Sequence, residues 1–296
     1  MVCGNLVQDI LVRPVAEPLA WGTTVIVQQI VQNLGGNGGT TSYTLAKLGI
    51  PVTLLSLAGR DAAGDQLLAS LKQAGVETQV EACDLPTSVS VSLVDANARR
   101  ALLYQLGASA GTFTRPVTLP EDASHFHLNA IYRMRDLRGH GPQLMEQAKR
   151  LGCSTSLDTQ WDHEGEWMSV LQPALRFTDL LFVNEDEARE LTGLHDPAAA
   201  ALALRDAGAP EVVIKLGESG CFASTSEGDF YSAAFPARAI DTTGAGDVFV
   251  GAYLAALYRG HAHREAATFA NRTAAIAVGT LGATAGLDSL QFVIRP

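Results

Sequence analysis

A short stretch near the carboxyl end, Asp241-Thr242-Thr243-Gly244-Ala245-Gly246-Asp247, has the residue types of a site that handles an anion. Glycine and alanine have no bulk to hold a ligand away from the backbone. A helix is predicted to start near Gly246, so the amides of Gly244, Ala245, Gly246 and Asp247 converge at the positive end of a helix dipole. Asp247 falls in the first turn. A carboxylate beside such an anion hole is suited to taking a proton from a hydroxyl that attacks a phosphoryl group. The same tetrapeptide also serves a simpler purpose, an aspartate at the start of an ordinary helix, and on these residues alone both readings stand.

A second stretch, "NLGGNGGTTSYTLAKLG" (33–49), has glycine at four of the positions 35–39, ahead of an apolar stripe of Tyr43, Leu45, Ala46 and Leu48. A glycine turn before a helix cradles phosphate or lets the chain pass close to a sugar. It is not a Walker loop, because no Gly-Lys-Ser/Thr occurs in the chain. It fits G-x-G-x-x-G poorly, and no acidic residue closes a following strand, which argues against a nicotinamide dehydrogenase. Two further loops follow strand-like runs. "AIYRMRDLRG" carries Arg133, Arg135 and Arg138, which either grip a sugar phosphate by paired hydrogen bonds or are simply solvated. "SLDTQWDHEGEW" carries Asp158, Trp161 and Asp162, and Trp161 there either stacks on a ligand ring or packs under its own loop.

These residues need elements to position them, and the apolar patterning supplies an alternation. Strand-like runs at 52–59, 124–129, 154–158, 180–184 and 211–217 are separated by helical stretches at 63–75, 137–151, 165–176, the run to Leu191, and 197–208. The run at 211–217 is the last clear strand of the series. Strands joined through helices imply right-handed crossovers and a parallel sheet, whose ligands sit at the strands' carboxyl ends. A strand-like run covers Met1–Val12, and a strongly apolar helix pair, 244–259 and 262–279, closes the chain. Residues 10–32 and 87–106 alternate with period two and lack a helix between their runs. They read as antiparallel strands outside the main sheet, with a turn at Asp95-Ala96-Asn97, forming either a small lid over the strand ends or an edge hairpin of the same sheet. The expectation is one domain, 1–296, with 10–32 and 87–106 inserted as the lid.

The bulk numbers exclude several classes. Net charge is −10 and the isoelectric point about 5.1, the wrong sign for binding nucleic acid. The lysines are Lys47, Lys72, Lys149 and Lys215 alone, so a bound anion must lean on amides, helix N-termini, metals or arginines. Cys3, Cys83, Cys153 and Cys221 are scattered, with no CxxC pair, as in a reduced cytosolic protein. The first residues lack the basic start of a signal peptide, and the apolar tract 273–287 is too short to cross a bilayer. A soluble, cytoplasmic protein with no nucleic-acid or membrane partner is expected.

"GGNGGTTSYTLAKLG" and "DTTGAGDVFVGAYLAAL" together resemble the two signature regions of the ribokinase-like (PfkB) carbohydrate kinases. "GNLVQDILV" (4–12), "VNEDEARELTG" (183–193), "VVIKLGESGC" (212–221) and "FANRTAAIAVGTLGA" (269–283) fall in the family's order, so the resemblance spans essentially the whole chain. It implies a three-layer α/β/α parallel-sheet domain with a small β lid, and transfer of the γ-phosphoryl of ATP to a hydroxyl of a sugar or sugar derivative. A nucleoside kinase and a non-catalytic ligand-binding relative are the alternatives. By resemblance, Asp247 takes the acceptor proton and Gly244, Ala245 and Gly246 form the anion hole. Asp9 binds the sugar, Gly35 and Gly36 pack against it, and Asn37 and Thr40 face it. Asn184 and Glu187 organise Mg²⁺ and phosphates through water, although Glu187 also reads as a solvated helix face. Lys215, Gly217 and Gly220 lie beside the nucleotide and Asn271 near its adenine or ribose. Asp241 and Thr243 help build a site for a monovalent cation, K⁺. Ribokinases usually carry Asn where this chain has Thr40 and often Lys where it has Asn37, so ribose itself is not implied. The resemblance also implies a homodimer through the lid, with Val27 and Leu103 among the residues at its interface.

Overall fold

Two sheets organise the protein, and the computed structural model describes them through residues 1–15, 21–95, 99–120 and 122–292. In chain order the strands are β1 (Val2–Cys3), β2 (Val7–Arg13), β3 (Gln29–Gly35), β4 (Thr53–Gly59), β5 (Glu77–Cys83), β6 (Ser88–Val94), β7 (Arg100–Gln105), β8 (His125–Asn129), β9 (Ser154–Asp158), β10 (Leu180–Asn184), β11 (Glu211–Lys215), β12 (Cys221–Thr225) and β13 (Gly228–Ser232). The helices are α1 (Asn37–Lys47), α2 (Ala62–Ala74), α3 (Leu137–Arg150), α4 (Met168–Leu175), α5 (Glu185–Thr192), α6 (Pro197–Asp206), α7 (Ala245–Tyr258) and α8 (His263–Ala277).

The large sheet has the order β13-β12-β11-β10-β9-β8-β1-β4-β5, parallel from β11 to β5. Its central strands are covered on both faces, which is why Leu181, Phe182 and Val183 form an unbroken buried run. One apolar layer joins one face to α1, α2, α7 and α8; the other joins the opposite face to α3, α4, α5 and α6. Local signals set the helix ends: Asp61 accepts from the Gly64 amide before α2, and Gly75 leaves that helix with φ 91°. Asp196 and Pro197 open α6 in the same spirit.

The small sheet has the order β3-β2-β6-β7 and is separate from the large one, so the lid stands and the edge-hairpin alternative does not. Its pairing corrects the expectation of antiparallel strands throughout. β2 runs antiparallel to β3, and β6 to β7, but β2 and β6 are parallel, because each enters the lid from the same side of the large sheet. Its limits also differ, since pairing begins at Val7 and runs to Gly35. The expected turn at 95–97 falls partly on residues outside those described; on either side of them the Asp95 amide donates to the Arg99 carbonyl at 2.9 Å.

The run Met1–Val12 is not one strand. It leaves the large sheet after Cys3 and joins the lid at Val7. The break is set by crowding: a Cβ on Gly4 would collide with Asn129 Oδ1, and one on Gly38 would lie 2.6 Å from the Gly4 carbonyl carbon. That close crossing puts the N-terminus of α1 at the root of the lid. The run at 211–217 is the last strand of the parallel series, as β11, but two more strands follow it. β12 and β13 return antiparallel beside β11, and β5 forms the opposite edge. Edge strands carry a mixed polar pattern that reads weakly, as "ETQVEAC" and "GDFYS" do.

Candidate active site

The glycine turn and the helix start behind it stand where the sequence places them. Gly244 precedes α7 with φ 70°, a conformation that favours glycine, and a Cβ there would collide with Ala283. Asp247 sits in the helix's first turn, and the Asn37 side-chain amide donates to its Oδ1 at 2.7 Å. Asn37 is held in turn, because its backbone amide donates to Asn5 Oδ1 at 2.9 Å. Asn5 then donates to the Tyr104 hydroxyl at 3.0 Å, a tie between the body and the lid. Burial pushes the Asp247 carboxyl up to about 6; Lys215 and the Asn37 hydrogen bond oppose the rise and Glu187 adds to it.

Lys215 leaves the end of β11 and crosses to the catalytic helix. Its Nζ donates to Asp158 Oδ1 at 2.5 Å and lies 3.5 Å from the place a Cβ on Gly246 would occupy. Burial works against its ammonium, but Asp158, Glu187 and Asp247 outweigh burial and hold it charged. Burial pushes the Asp158 carboxyl the other way, up to about 8, against the pull of Lys215. The pair therefore brings a buried positive charge to the anion hole.

The acceptor side is built across the lid. In register, Asn33, Asp9, Ser90 and Tyr104 form one row over β3, β2, β6 and β7, so their side chains share a face. Burial lifts the Asp9 carboxyl to about 7, with Asp247 and Asp241 adding to the rise and a hydrogen bond from Ser90 opposing it. Of that row, Asp9 is thus within electrostatic reach of Asp247 and Asp241. Gly35 is small because the Asp9 carboxyl occupies its side-chain space, and Gly36 turns into α1 with φ 83° against the Asn5 carbonyl. Thr40 differs from expectation. It is fully buried beneath Gly244, its hydroxyl without a partner, so it supports the floor of the site and presents nothing to its surface.

On the other side of the anion hole, Asn184 and Glu187 form a capping box on α5. The Glu187 amide donates to Asn184 Oδ1 at 2.8 Å, and the Asn184 amide and Thr159 Oγ1 donate to Glu187 Oε2 at 3.0 and 2.8 Å. At 3% exposure Glu187 is no solvated face. Asp241 accepts from the amides of Thr243 and Gly282, joining the two loops that flank the hole. Arg100, on the lid, donates to Thr243 Oγ1 at 3.3 Å. Gly217 opens the turn between β11 and β12. Gly220, at φ 97°, closes it against Ser232, and the Asn271 amide donates to Ser232 O at 3.0 Å. Asn271, Gly217 and Gly220 are thus together, one strand edge away from Lys215.

The three arginines part company. Arg138 is neither solvated nor free for a ligand: it bridges Asp162, Glu164 and Glu166, while Asp162 also takes the amides of residues 164, 166 and 167. Arg135 is exposed. Arg133 lies with its guanidinium carbon 4.4 Å from the centre of the Tyr104 ring. Trp161 packs edge-on against Trp167 at 5.0 Å, the loop-packing alternative. Sequence reasoning missed Asn5, Asn33, Ser90 and Arg100. Their signal was register, which becomes readable only once the lid strands are paired. A cavity of about 660 Å³ lies at the opposite, amino-terminal ends of the strands, near Met1, Thr53 and His125, and touches none of these groups. Chemistry, more than cavity size, marks the site. Among the described residues no three His, Cys, Asp or Glu side chains converge as a metal cage.

A family model described as pfkB family carbohydrate kinase matches residues 4–290. The aminoimidazole riboside kinase of Salmonella typhimurium is 28% identical over 271 residues, covering 86% of this chain and 84% of that protein. A ribokinase of Staphylococcus aureus is 26% identical over 304 residues, covering 98% of this chain and 95% of the other. A solved structure, a ribokinase II from E. coli in complex with ATP and Mg²⁺, superposes with a TM-score of 0.82 at 22% identity, covering 98% of this chain and 96% of that one.

Proposed function

The chain belongs to the pfkB family of carbohydrate kinases, and from that premise we propose which of its residues carry a phosphoryl group from ATP to an acceptor hydroxyl. The observation that carries the assignment is Asp247: a carboxylate at the N-terminus of α7, lifted to about 6 by burial and aimed by Asn37. A base works best when its affinity for protons lies near the working pH. Asp9 and Asn37 orient the acceptor, so that one hydroxyl reaches Asp247 and gives up its proton there. The amides of Gly244, Ala245, Gly246 and Asp247, with the Lys215 ammonium beside them, stabilise the charge that spreads over the transferring phosphoryl oxygens. Lys215, Gly217, Gly220 and Asn271 receive the nucleotide, with Asn184 fixing the helix start beside it.

Mg²⁺, when bound, neutralises phosphate charge. Among the described residues there is no side-chain cage for it, so the buried acids Glu187 and Asp158 would hold it through water, where it would offset charge on the phosphates. Supporting that, Glu187's bonds all fall on Oε2, and Asp158 Oδ2 is buried without a partner. A K⁺ site at Asp241 and Thr243 is proposed on the ground that Asp241 already orders both loops of the anion hole. Tyr104 is the one aromatic residue of 87–106, thin cover for a base, so a sugar or sugar derivative is favoured over a nucleoside. No described helix is long and apolar enough to cross a membrane, and a cytoplasmic location is proposed with that in view.

The test is coupled ADP release over a panel of sugars, sugar phosphates, sugar acids and nucleosides, with wild type and Asp247→Asn. Turnover should fall about 10²–10⁴-fold in the variant, with ATP binding retained by calorimetry. A variant that turns over the preferred acceptor at near the wild-type rate would remove Asp247 from the role.

A further inference from the structure

We propose that Arg133 makes this enzyme selective for acceptors that carry a negative charge of their own, a phosphate or carboxylate distal to the hydroxyl that is phosphorylated. The proposal rests on the kinase reading above and adds the class of acceptor.

Arg133 belongs to the turn directly after β8, at the carboxyl end of a central parallel strand, where ligands of such sheets bind. Ala130 starts that turn with φ 61°, a conformation costly for any residue with a side chain, and its carbonyl accepts from the amides of Arg133 and Met134 at 3.1 and 2.9 Å. The chain accepts backbone strain to place Arg133 where it is.

The guanidinium faces the acceptor wall. It lies over the ring of Tyr104, which shares its row with Asp9 and Ser90. The hydroxyl of the same ring takes the Asn5 amide, and Asn5 holds Asn37, which holds Asp247. One continuous chain of contacts thus runs from Arg133 at one end to the catalytic carboxylate at the other. An acceptor lying along Asp9 has its reacting hydroxyl at Asp247 and its far end toward Arg133.

Arg133 also lacks the partner that its burial calls for. Among the described residues it forms no ion pair with a carboxylate; its polar side-chain contact is His163 Nε2 at 3.2 Å, and its Nε is buried without a partner. Arg138, five residues on, shows the contrast, since it is met by three acids. In a chain of net charge −10, an unpaired and partly buried guanidinium is an expensive feature. Stacking on Tyr104 takes up one face of the fork and His163 takes Nη2, while the remaining N–H donors have no partner among the described residues, donors that suit a carboxylate or phosphate. A neutral pentose or a nucleoside would leave those donors unpaired.

The experiment compares kcat/KM for neutral acceptors (ribose, fructose) with charged ones, fructose 6-phosphate for the phosphate arm and 2-dehydro-3-deoxygluconate for the carboxylate arm. Wild type, Arg133→Met and Arg133→Lys are measured in parallel, with calorimetric binding in the presence of a non-hydrolysable ATP analogue. One charged arm should exceed the neutral acceptors at least 10²-fold. In Arg133→Met the charged-to-neutral ratio should collapse at least 10-fold, mainly through KM, and Arg133→Lys should recover part of it. A purely structural Arg133 would lower both classes alike and leave the ratio unmoved, which overturns the proposal. So does a neutral acceptor preferred by the wild type, while leaving the kinase reading intact. Absence of ADP release and of binding with every acceptor overturns both.

Discussion

Asp9 and Asp247 are both lifted by burial, to about 7 and about 6, and the charge of Asp247 adds to the rise at Asp9. In the proposed mechanism each must be charged to work, Asp247 as base and Asp9 as acceptor of sugar hydroxyls. The expected kcat/KM therefore falls as pH drops below about 7, with a limiting slope approaching two on logarithmic axes. A profile flat down to pH ~5.5 would detach both residues from catalysis. Stability runs the opposite way. A carboxyl whose affinity for protons is raised on folding favours the folded state at low pH; for Asp247 that contribution is complete below its ordinary 3.8 and is lost as pH rises through about 6. At pH 8 the native state holds an unfavourable buried charge. Asp247→Asn, which keeps an oxygen for Asn37, should then raise stability by roughly 1–2 kcal/mol while lowering turnover about 10²–10⁴-fold. Thermal unfolding at pH 5 and pH 8 checks this, and the gain should shrink at the lower pH. Of the residues involved, Asp247 was legible from its own motif, but Asn5, which holds its partner Asn37, was not, because a buried asparagine in an apolar run has no local signature.

Helix α5 and the crossing of β1 with α1 make two element-scale tests. Glu187 has two tasks, closing the capping box and offering charge toward the phosphates. Glu187→Gln retains an oxygen for the Asn184 amide and for Thr159, so stability should change by less than ~1 kcal/mol. The Mg²⁺ concentration for half-maximal rate should rise several-fold. An unchanged Mg²⁺ titration would leave Glu187 a cap and nothing more. At the crossing, Gly38→Ala puts a methyl against the Gly4 backbone, which cannot yield as a side-chain tip would. The expected loss is ~1–3 kcal/mol by denaturant unfolding, with activity falling as α1 shifts Asn37 away from Asp247. The helices and the central strands were legible because their apolar runs are long and their caps are local: Asp61 and Gly75 for α2, Asn184 for α5. The break at Gly4 was not, since it is caused by Asn129 and Gly38, distant in sequence. The edge strands β5 and β13 escaped or blurred for the opposite reason, having one solvated face and no periodic apolar stripe.

At the scale of the whole molecule, the lid carries its polarity inside out. Along β6, Ser88, Ser90 and Ser92 are buried toward the body while Val89, Val91 and Leu93 alternate outward. Register carries the same outward face across the sheet to Ile10, Val12, Ile30 and Leu103, the last two 64% and 61% exposed. The alternation was readable in the sequence, but its direction was not, because period two says which residues share a face and not which face is wet. A half-polar strand normally buries its apolar side; here that side holds the serines, because the cleft they line is polar. The outward valines and leucines then need cover from elsewhere. Val25 and Ile26, just ahead of β3, extend the exposed apolar surface. A sheet face of this kind, bounded by the open edges of β3 and β7, is unstable alone in water. A second copy of the same lid would cover it with matching chemistry, and we propose that the two close the assembly by a two-fold axis. The expected state is a homodimer built on these two segments. Leu103→Glu and Ile30→Glu lie on the outward face, away from Asp9, and should yield a monomer with native circular dichroism and a raised acceptor KM, since each lid leans on its twin when it closes. Val27→Glu, just before β3, tests where the interface ends. Light scattering at micromolar concentration decides the matter: a wild-type monomer overturns the dimer, and a dimer untouched by both substitutions moves the interface to another surface.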